Sequence, residues 1–422
     1  KHYAVLGLAR SGLATVEALL ASGAKVTAWD WNAEARSVVP DGTALADLDS
    51  ADLAQFDSLV VSPGVPLNSH PIAQRAREAG VEIIGDIELF ARARAELPPH
   101  KVVGITGTNG KSTTTALIHH ILQTAGVPSL MGGNIGLPIL SQKPLPDGGV
   151  YVLELSSYQI DLTKTLDCDI AVLLNITPDH LDRYDDFESY RRSKLRLFAM
   201  QTDQRWAISG IEDTSVRTFL FDLDNGPSGF VEPPPDENFG VTDQGEFSAL
   251  AGPHNAQNIW TAAAICVRLG IDQATITNGL RTYPGLPHRM ERIRERDGVL
   301  FVNDSKATNA EAAAPALAAY PRVRWLVGGQ AKGETLGQTA DHLDHVVAAY
   351  TIGEAGPMFA RLLRDEGVDV TECETLENAV KRAAKDSQPG ETVLLSPASA
   401  SFDQFRDFEE RGDRFREYVG AL

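Results

Sequence analysis

Residues 102–113 run Val102-Val103-Gly104-Ile105-Thr106-Gly107-Thr108-Asn109-Gly110-Lys111-Ser112-Thr113, an apolar strand-like stretch feeding a glycine-rich turn that opens a helix. A turn of this kind holds phosphate. Its glycines let backbone N–H groups close on phosphate oxygens, the helix N-terminus favours negative charge, Lys111 can reach the β and γ phosphates, and Ser112 can ligand Mg²⁺. The strict G-x-x-x-x-G-K-[ST] spacing is not met, because the position five before Gly110 is Ile105 and Gly104 stands one residue too early, so a variant loop is implied.

Phosphoryl transfer also needs an acid near its metal. Glu154 sits at the end of the apolar run Val150–Leu155, where a parallel sheet presents functional groups, and is the expected Mg²⁺ ligand. The next strand-like run ends in Asn175-Ile176-Thr177-Pro178-Asp179-His180-Leu181-Asp182, which offers His180 as a second metal ligand. Lys194 falls on the apolar face of a predicted helix, in line with Phe187, Tyr190 and Leu197. Either its stem snorkels to solvent, or burial lowers its pKa and opens the neutral amine to covalent modification or catalysis.

Three further turns follow strand-like runs. Gly7-Leu8-Ala9-Arg10-Ser11-Gly12, with Asp30 ending the second strand, has the outline of a dinucleotide fingerprint whose middle glycine is replaced by Ala9. That argues against a classical NAD site while allowing other nucleotide diphosphates, and Gly64 offers a second close-approach turn. Asn303-Asp304-Ser305-Lys306-Ala307-Thr308-Asn309 and Gly328-Gly329-Gln330-Ala331-Lys332 suit ribose, carboxylate or phosphate contacts, although polar strand-to-helix turns are also common as plain connections.

Positioning these residues takes three α/β patterns in succession. At a prior of roughly 150 residues per domain, 422 residues make about three domains. Strands near 3–8, 25–30 and 58–62 alternate with helices up to Pro98-Pro99; a second α/β unit then runs to Tyr283-Pro284-Gly285-Leu286-Pro287, and a third follows. The expected fold is α/β with three domains, each a mostly parallel sheet with flanking helices: Rossmann-like over 1–97, P-loop over 98–283 and Rossmann-like over 284–422. Residues 222–248, rich in Pro, Gly and Asp, read as loop or short hairpin, and a last helix is expected from about Gln404.

Composition narrows the function classes. Lys and Arg total 38 against 57 Asp and Glu, a net charge of −19, so a basic footprint for nucleic acid or anionic lipid is missing and any anionic ligand must be held by local donors. Hydrophobic residues at 43% and charged residues at 23% fit a folded globular enzyme. The longest apolar stretches fall well short of the roughly 18 residues of a membrane span. The N-terminus reads as a strand without an export signal, and Cys168, Cys266 and Cys373 lack metal-ligand spacing, which makes the cytoplasm the expected compartment.

Seven ordered motifs, Gly107-Thr-Asn-Gly-Lys-Ser-Thr113, Gly133-Asn134-Ile135-Gly136, Leu153-Glu154-Leu155-Ser156-Ser157, His254-Asn-Ala-Gln-Asn258, Gly285-Leu-Pro-His-Arg289, residues 303–309 and Ser396-Pro-Ala-Ser-Ala-Ser-Phe-Asp-Gln-Phe405, together resemble the Mur ligases of peptidoglycan synthesis. Within that family the likeness is to the branch that adds D-glutamate to UDP-N-acetylmuramoyl-L-alanine. The resemblance implies an ATP-dependent amide ligase that works through an acyl phosphate, releases ADP and phosphate, and serves the cell wall, cell shape and division. It implies a UDP-sugar domain, an ATP domain and an amino-acid domain that closes over both. Mg²⁺ at two sites, with Mn²⁺ as an alternative, and a carbamylated Lys194 come with it, as does a monomeric chain without nucleic-acid or membrane partners.

Carried over by the same resemblance, Lys111, Glu154, His180, Lys194 and Lys332 are catalytic, and Ser112, Glu154, His180 and Lys194 surround metal. Gly107, Thr108, Asn109, Gly110, Lys111, Ser112 and Thr113 bind ATP with Asn258, Arg289 and Asp304. Arg10, Ser11, Asp30, Gly64, Asn134 and His180 face the UDP sugar; Asp179, Lys306, Thr308, Ser401 and Phe408 surround D-glutamate. One departure stands out: relatives can carry an arginine two residues after Asp30, where this chain has Asn32, with Arg10 as a possible substitute. The competing readings are a sibling ligase for another amino acid, a folylpolyglutamate-type ligase, and a non-catalytic nucleotide-binding regulator.

Overall fold

A parallel strand buried on both faces reads as a nearly continuous apolar run, and the chain supplies such runs three times over. The computed structural model describes the chain except residues 179–182, 225, 235–243, 248, 251 and 332, with only the backbone of 253 and 254. The described residues gather into two compact units, 1–240 with 257–280 and 241–256 with 281–422. They form three α/β domains, two sheets in the first unit and one in the second.

The first sheet is built from β1 (His2–Leu6), α1 (Arg10–Ala21), β2 (Lys25–Trp29), α2 (Ala33–Ser37), β3 (Ala44–Leu45), β4 (Ser58–Val61), α3 (Ile72–Glu78), β5 (Glu82–Ile84) and α4 (Asp86–Ala93). Its strands are all parallel in the order β3-β2-β1-β4-β5. The chain leaves β1 toward β2 on one side and returns to β4 on the other, so a crevice opens at the C-terminal end of β1, beside Gly7.

The second sheet takes β6 (His100–Thr106), α5 (Lys111–Thr124), β7 (Ser129–Gly133), β8 (Gly149–Glu154), α6 (Ser157–Asp161), β9 (Ile170–Leu173), α7 (Phe187–Ala199), β10 (Trp206–Ser209), α8 (Thr214–Phe221) and β11 (Gly229–Val231). The helices α9 (Pro253–Arg268) and α10 (Gln273–Thr282) follow. The order is β11-β10-β9-β6-β8-β7, again parallel, with β6 between β8 and β9, so the phosphate-type loop after β6 emerges between the ends of those two strands. Strand β11 lies inside the stretch expected to be loop or hairpin. It pairs in parallel with β10, and Gly229 is required there because a Cβ would lie 2.4 Å from the Trp206 ring.

The third sheet comprises β12 (Glu291–Arg296), β13 (Val299–Asn303), α11 (Ala310–Ala318), β14 (Val323–Gly328), β15 (Val346–Ile352), α12 (Gly356–Asp365), β16 (Val370–Glu374), α13 (Leu376–Asp386), β17 (Thr392–Leu395) and α14 (Phe408–Gly420). The order is β12-β13-β17-β14-β15-β16, and only the edge pair β12 and β13 is antiparallel. Strand β12 escapes a hydrophobic-pattern reading because an edge strand with one solvated side tolerates Glu-Arg-Ile-Arg-Glu-Arg. Helix α14 begins at Phe408 rather than near Gln404, because Asp407 is extended and its carboxylate caps Glu410 N–H at 2.8 Å. Among the described residues no helix is long and apolar enough to cross a membrane.

Candidate active site

The loop after β6 is shaped by two glycines with positive φ, Gly107 at 154° and Gly110 at 82°, the second standing at the N-cap of α5. The segment that follows β9 holds the loop: Asn175 O accepts Thr108 N–H at 3.0 Å, and Asn175 Oδ1 accepts Asn109 N–H at 2.8 Å. Gln257 on α9 accepts from Asn175 Nδ2 at 2.8 Å and so braces the same residue. Thr108 Oγ1 accepts Thr177 N–H at 3.0 Å and lies 3.2 Å from the Tyr190 hydroxyl. Asn258 lies against the turn, its Oδ1 accepting from Thr114 at 3.1 Å, where a Cβ on Gly110 would come within 2.5 Å.

Two lysines converge on this loop. Lys111 Nζ donates to Gly107 O at 2.8 Å and Thr108 O at 2.7 Å. Lys194, only 2% exposed, donates to the same Gly107 O at 2.9 Å and lies 4.7 Å from the centre of the Tyr190 ring. Of the two alternatives open for this lysine, snorkelling is therefore excluded: the amine is buried beside the phosphate-type loop.

Glu154 ends β8, 2% exposed, with Oε1 accepting from Asn134 Nδ2 at 3.1 Å. Its other oxygen, Oε2, is buried without a hydrogen-bond donor among the described residues. A desolvated carboxylate oxygen without a donor is costly, and a cation satisfies it. With Ser112 buried in the first turn of α5, the donor set fits a divalent metal bound by oxygen ligands. Among the described residues no three His, Cys, Asp or Glu side chains cluster. His180 and Asp179 lie outside the described residues, as does Lys332.

Asn134 also lines a cavity of about 450 Å³ in the same unit, with Arg10, Ser11, Asp30, Trp31 and Gly64. Asp30 accepts Leu8 N–H at 2.7 Å and Asn32 N–H at 2.8 Å, while Arg10 donates to Gly136 O at 2.9 Å. Gly12 is needed because a Cβ would lie 1.9 Å from Gly7 O; Gly64, by contrast, has open space around it. Asn32 caps α2 by accepting Glu34 N–H at 2.9 Å, a local reason for asparagine at that position. The five expected UDP-sugar residues that the structure describes thus come together, and Asn134 joins their cavity to Glu154.

In the second unit, Asp304 follows β13 and is 7% exposed, its carboxylate accepting from Ser396 Oγ at 2.8 Å and Met290 N–H at 3.1 Å. Burial raises its pKa to about 7, against the pull of these two donors and the nearby Arg289 charge. Lys306 Nζ lies 4.0 Å from the centre of the Phe408 ring, and Thr308 is half-buried on the same turn. Ser401 is 2% exposed with its hydroxyl unpartnered among the described residues. Sequence reasoning passed over Asn175, Gln257 and Tyr190 as site residues; only the Lys194 and Tyr190 spacing of four hinted at one of them.

Three family models match the chain: Mur ligase MurD-like, N-terminal domain over residues 1–85, Mur ligase middle domain over 105–231, and Mur ligase, glutamate ligase domain over 288–399. The UDP-N-acetylmuramoylalanine--D-glutamate ligase of Novosphingobium aromaticivorans is 58% identical, covering 100% of this chain and 95% of its own. The protein of that name from Rhizobium meliloti is 45% identical over 100% and 96%. Among solved structures, the UDP-N-acetylmuramate-alanine ligase MurC of Thermotoga maritima matches with a TM-score of 0.61 at 16% identity, over 100% of this chain and 99% of that one. The MurF ligase of Thermotoga maritima in complex with ADP matches at 0.60 and 18% identity, over 99% and 95%. The chain belongs to the Mur ligase family.

Proposed function

We propose that the chain is an ATP-dependent ligase that joins D-glutamate to UDP-N-acetylmuramoyl-L-alanine in peptidoglycan precursor synthesis. The observation that carries this reading is the convergence of Lys111, Lys194 and the unpartnered Glu154 oxygen around one glycine-rich loop, with Asn134 leading from Glu154 into a nucleotide-sized cavity. The full-length relatives of the same name support the choice of substrates.

A carboxylate is a poor electrophile. In the first step a carboxylate oxygen of the UDP substrate attacks the γ-phosphorus of ATP, the bond to the β-phosphate oxygen breaks, and ADP leaves. In the second step the D-glutamate amine attacks the acyl carbon, phosphate departs, and the amine loses a proton as the amide forms. Loop N–H groups and Lys111 hold the phosphates and neutralise charge during transfer, while Asn134 orients Glu154 and faces the sugar. Ser112, Glu154, His180 and a carbamylated Lys194 would hold Mg²⁺ or Mn²⁺ at two sites, which supplies charge neutralisation at the transferring phosphoryl group. Lys332 assists there, Asn258, Arg289 and Asp304 contact the nucleotide, and Asp179, Lys306, Thr308, Ser401 and Phe408 surround D-glutamate.

The domains would run 1–97 for the UDP sugar, 98–283 for ATP and 284–422 for the amino acid, in a monomer working in the cytoplasm. The three cysteines, all buried free thiols, suit that compartment. The test is phosphate release from ATP with UDP-N-acetylmuramoyl-L-alanine, comparing D-glutamate with L-glutamate, L-alanine and a diamino acid. Turnover confined to D-glutamate is expected. Turnover with another amino acid instead would move the chain to a sibling ligase, and nucleotide binding without turnover on any acceptor would make it a regulator.

A further inference from the structure

Arg411, on α14, is fully buried, yet none of its hydrogen bonds reaches a carboxylate. Its Nε donates to Ser305 Oγ at 3.0 Å and its Nη2 to Ser305 O at 2.9 Å and Ser399 O at 3.0 Å, while Nη1 reaches Ala400 O at 3.2 Å. Arg324 shows the contrasting arrangement for a buried arginine here: it is 8% exposed and paired with Glu391 at 2.6 Å. Burial lowers the Arg411 pKa to about 10 against the opposing pull of the nearby Asp403 charge, which still leaves the group charged at neutral pH. An interior cation with no carboxylate hydrogen-bonded to it asks for a reason.

Its partners supply one. Ser305 sits between Asp304 and Lys306, and its hydroxyl donates onward to Phe408 O at 2.8 Å. Ser399 and Ala400 lead into Ser401. Ala400 pairs through both its N–H and its carbonyl with Gln330, on the turn that begins Gly328-Gly329. A Cβ on Gly329 would lie 2.3 Å from Ala400 O and 3.1 Å from Arg411 Nη1, so that turn is pressed directly onto the guanidinium. One side chain therefore ties together the turns after β13, β14 and β17. Those turns carry Lys306 and Ser401, and Phe408 opens the helix that bears Arg411 itself.

We propose that Arg411 is a positioning residue for the amino-acid acceptor: it fixes Lys306, Ser401 and Phe408 in mutual register and lends their site a positive charge suited to a dicarboxylate amino acid. The inference rests on the ligase reading above and deepens it, since a fork of five donors and a fixed charge do what neither lysine nor a neutral residue can do together.

The test uses the full-length chain and measures KM for each of the three substrates together with kcat and thermal unfolding. Arg411→Met, which keeps volume and removes charge and fork, is expected to raise KM for D-glutamate at least about 10-fold while KM for ATP and for the UDP substrate moves less than about 3-fold. Arg411→Lys, keeping charge alone, is expected to fall between. A variant that loses thermal stability and kcat with all three KM values unchanged, or raised alike, would make Arg411 merely structural and overturn the proposal. Should Arg411→Met fail to fold, Ser305→Ala removes the Nε contact and the bond to Phe408 O while leaving the charge. A rise of about 3-fold or more in KM for D-glutamate alone is expected of it, and no change would sink the idea. Wild-type chain without D-glutamate turnover would instead refute the D-glutamate ligase reading on which the inference rests, whatever the variants do.

Discussion

The ammonium groups of Lys111 and Lys194 both donate to one oxygen, the Gly107 carbonyl, at 2.8 and 2.9 Å. Eighty-three positions apart, they meet because β6 and the helix α7 pack side by side with the loop at their shared end. Two like charges on one acceptor repel each other; under the ligase reading proposed above, a carbamate on Lys194, formed from the neutral amine and CO₂ with loss of a proton, would turn that repulsion into attraction.

Lys194→Ala is expected to lower turnover by at least about 1,000-fold, and added short carboxylic acids such as acetate should partly restore it by replacing the carbamate. Steady-state phosphate release checks both. A fully active variant would remove Lys194 from the mechanism.

Glu154→Gln keeps the shape of the side chain and discards its charge. The Oε2 position already lacks a donor, so thermal stability without metal should not fall, whereas turnover should drop about 100-fold, within the several kcal/mol a bound metal contributes. Unfolding curves and activity across a Mg²⁺ titration separate the two effects. Unchanged activity at every metal concentration would place the metal elsewhere.

Asp304 couples stability to pH. Its carboxyl has an ordinary value of 3.8 and about 7 in the folded chain, so the folded state holds its proton more tightly. The stabilisation is fully present below about pH 4 and is lost as pH rises toward 7, because the charged form is the one burial penalises. Asp304→Asn should flatten the stability curve across that window, read by denaturant unfolding at stepped pH, and should raise KM for ATP. Parallel curves for the two proteins would refute the assignment.

Gly110→Ala places a methyl group 2.5 Å from Asn258 Oδ1 at a φ of 82°. The left-handed conformation alone costs about 1–2 kcal/mol, and displacing Asn258 disturbs the turn further. The expected result is at least a 10-fold weaker ATP affinity by calorimetry, about 1.4 kcal/mol, with binding of the UDP substrate unaltered. Equal loss for both ligands would point to general unfolding.

The phosphate-type loop was legible in the sequence because its chemistry is local: glycines, Lys111 and Ser112 lie within a few residues between an apolar run and a helix. Glu154 and Lys194 were legible for a related reason, since strand ends and helix faces have fixed periods. Asn175, Gln257 and Arg411 were not. Each is an ordinary polar residue in its own segment, and what sets it apart is a partner far along the chain: Asn109 for the first, Asn175 for the second, Ser305 for the third.

By itself, then, the sequence determined the three α/β domains, the phosphate loop and the family, because hydrophobic period, turn residues and motif spacing are properties of contiguous chain. Tertiary structure alone decided that Lys194 is buried rather than solvated, that Glu154 keeps one oxygen without a donor among the described residues, and that Arg411 is buried among three turns with only hydroxyl and carbonyl acceptors. Burial and hydrogen-bond satisfaction depend on which distant groups arrive in the same place, and pattern within one segment holds no record of them.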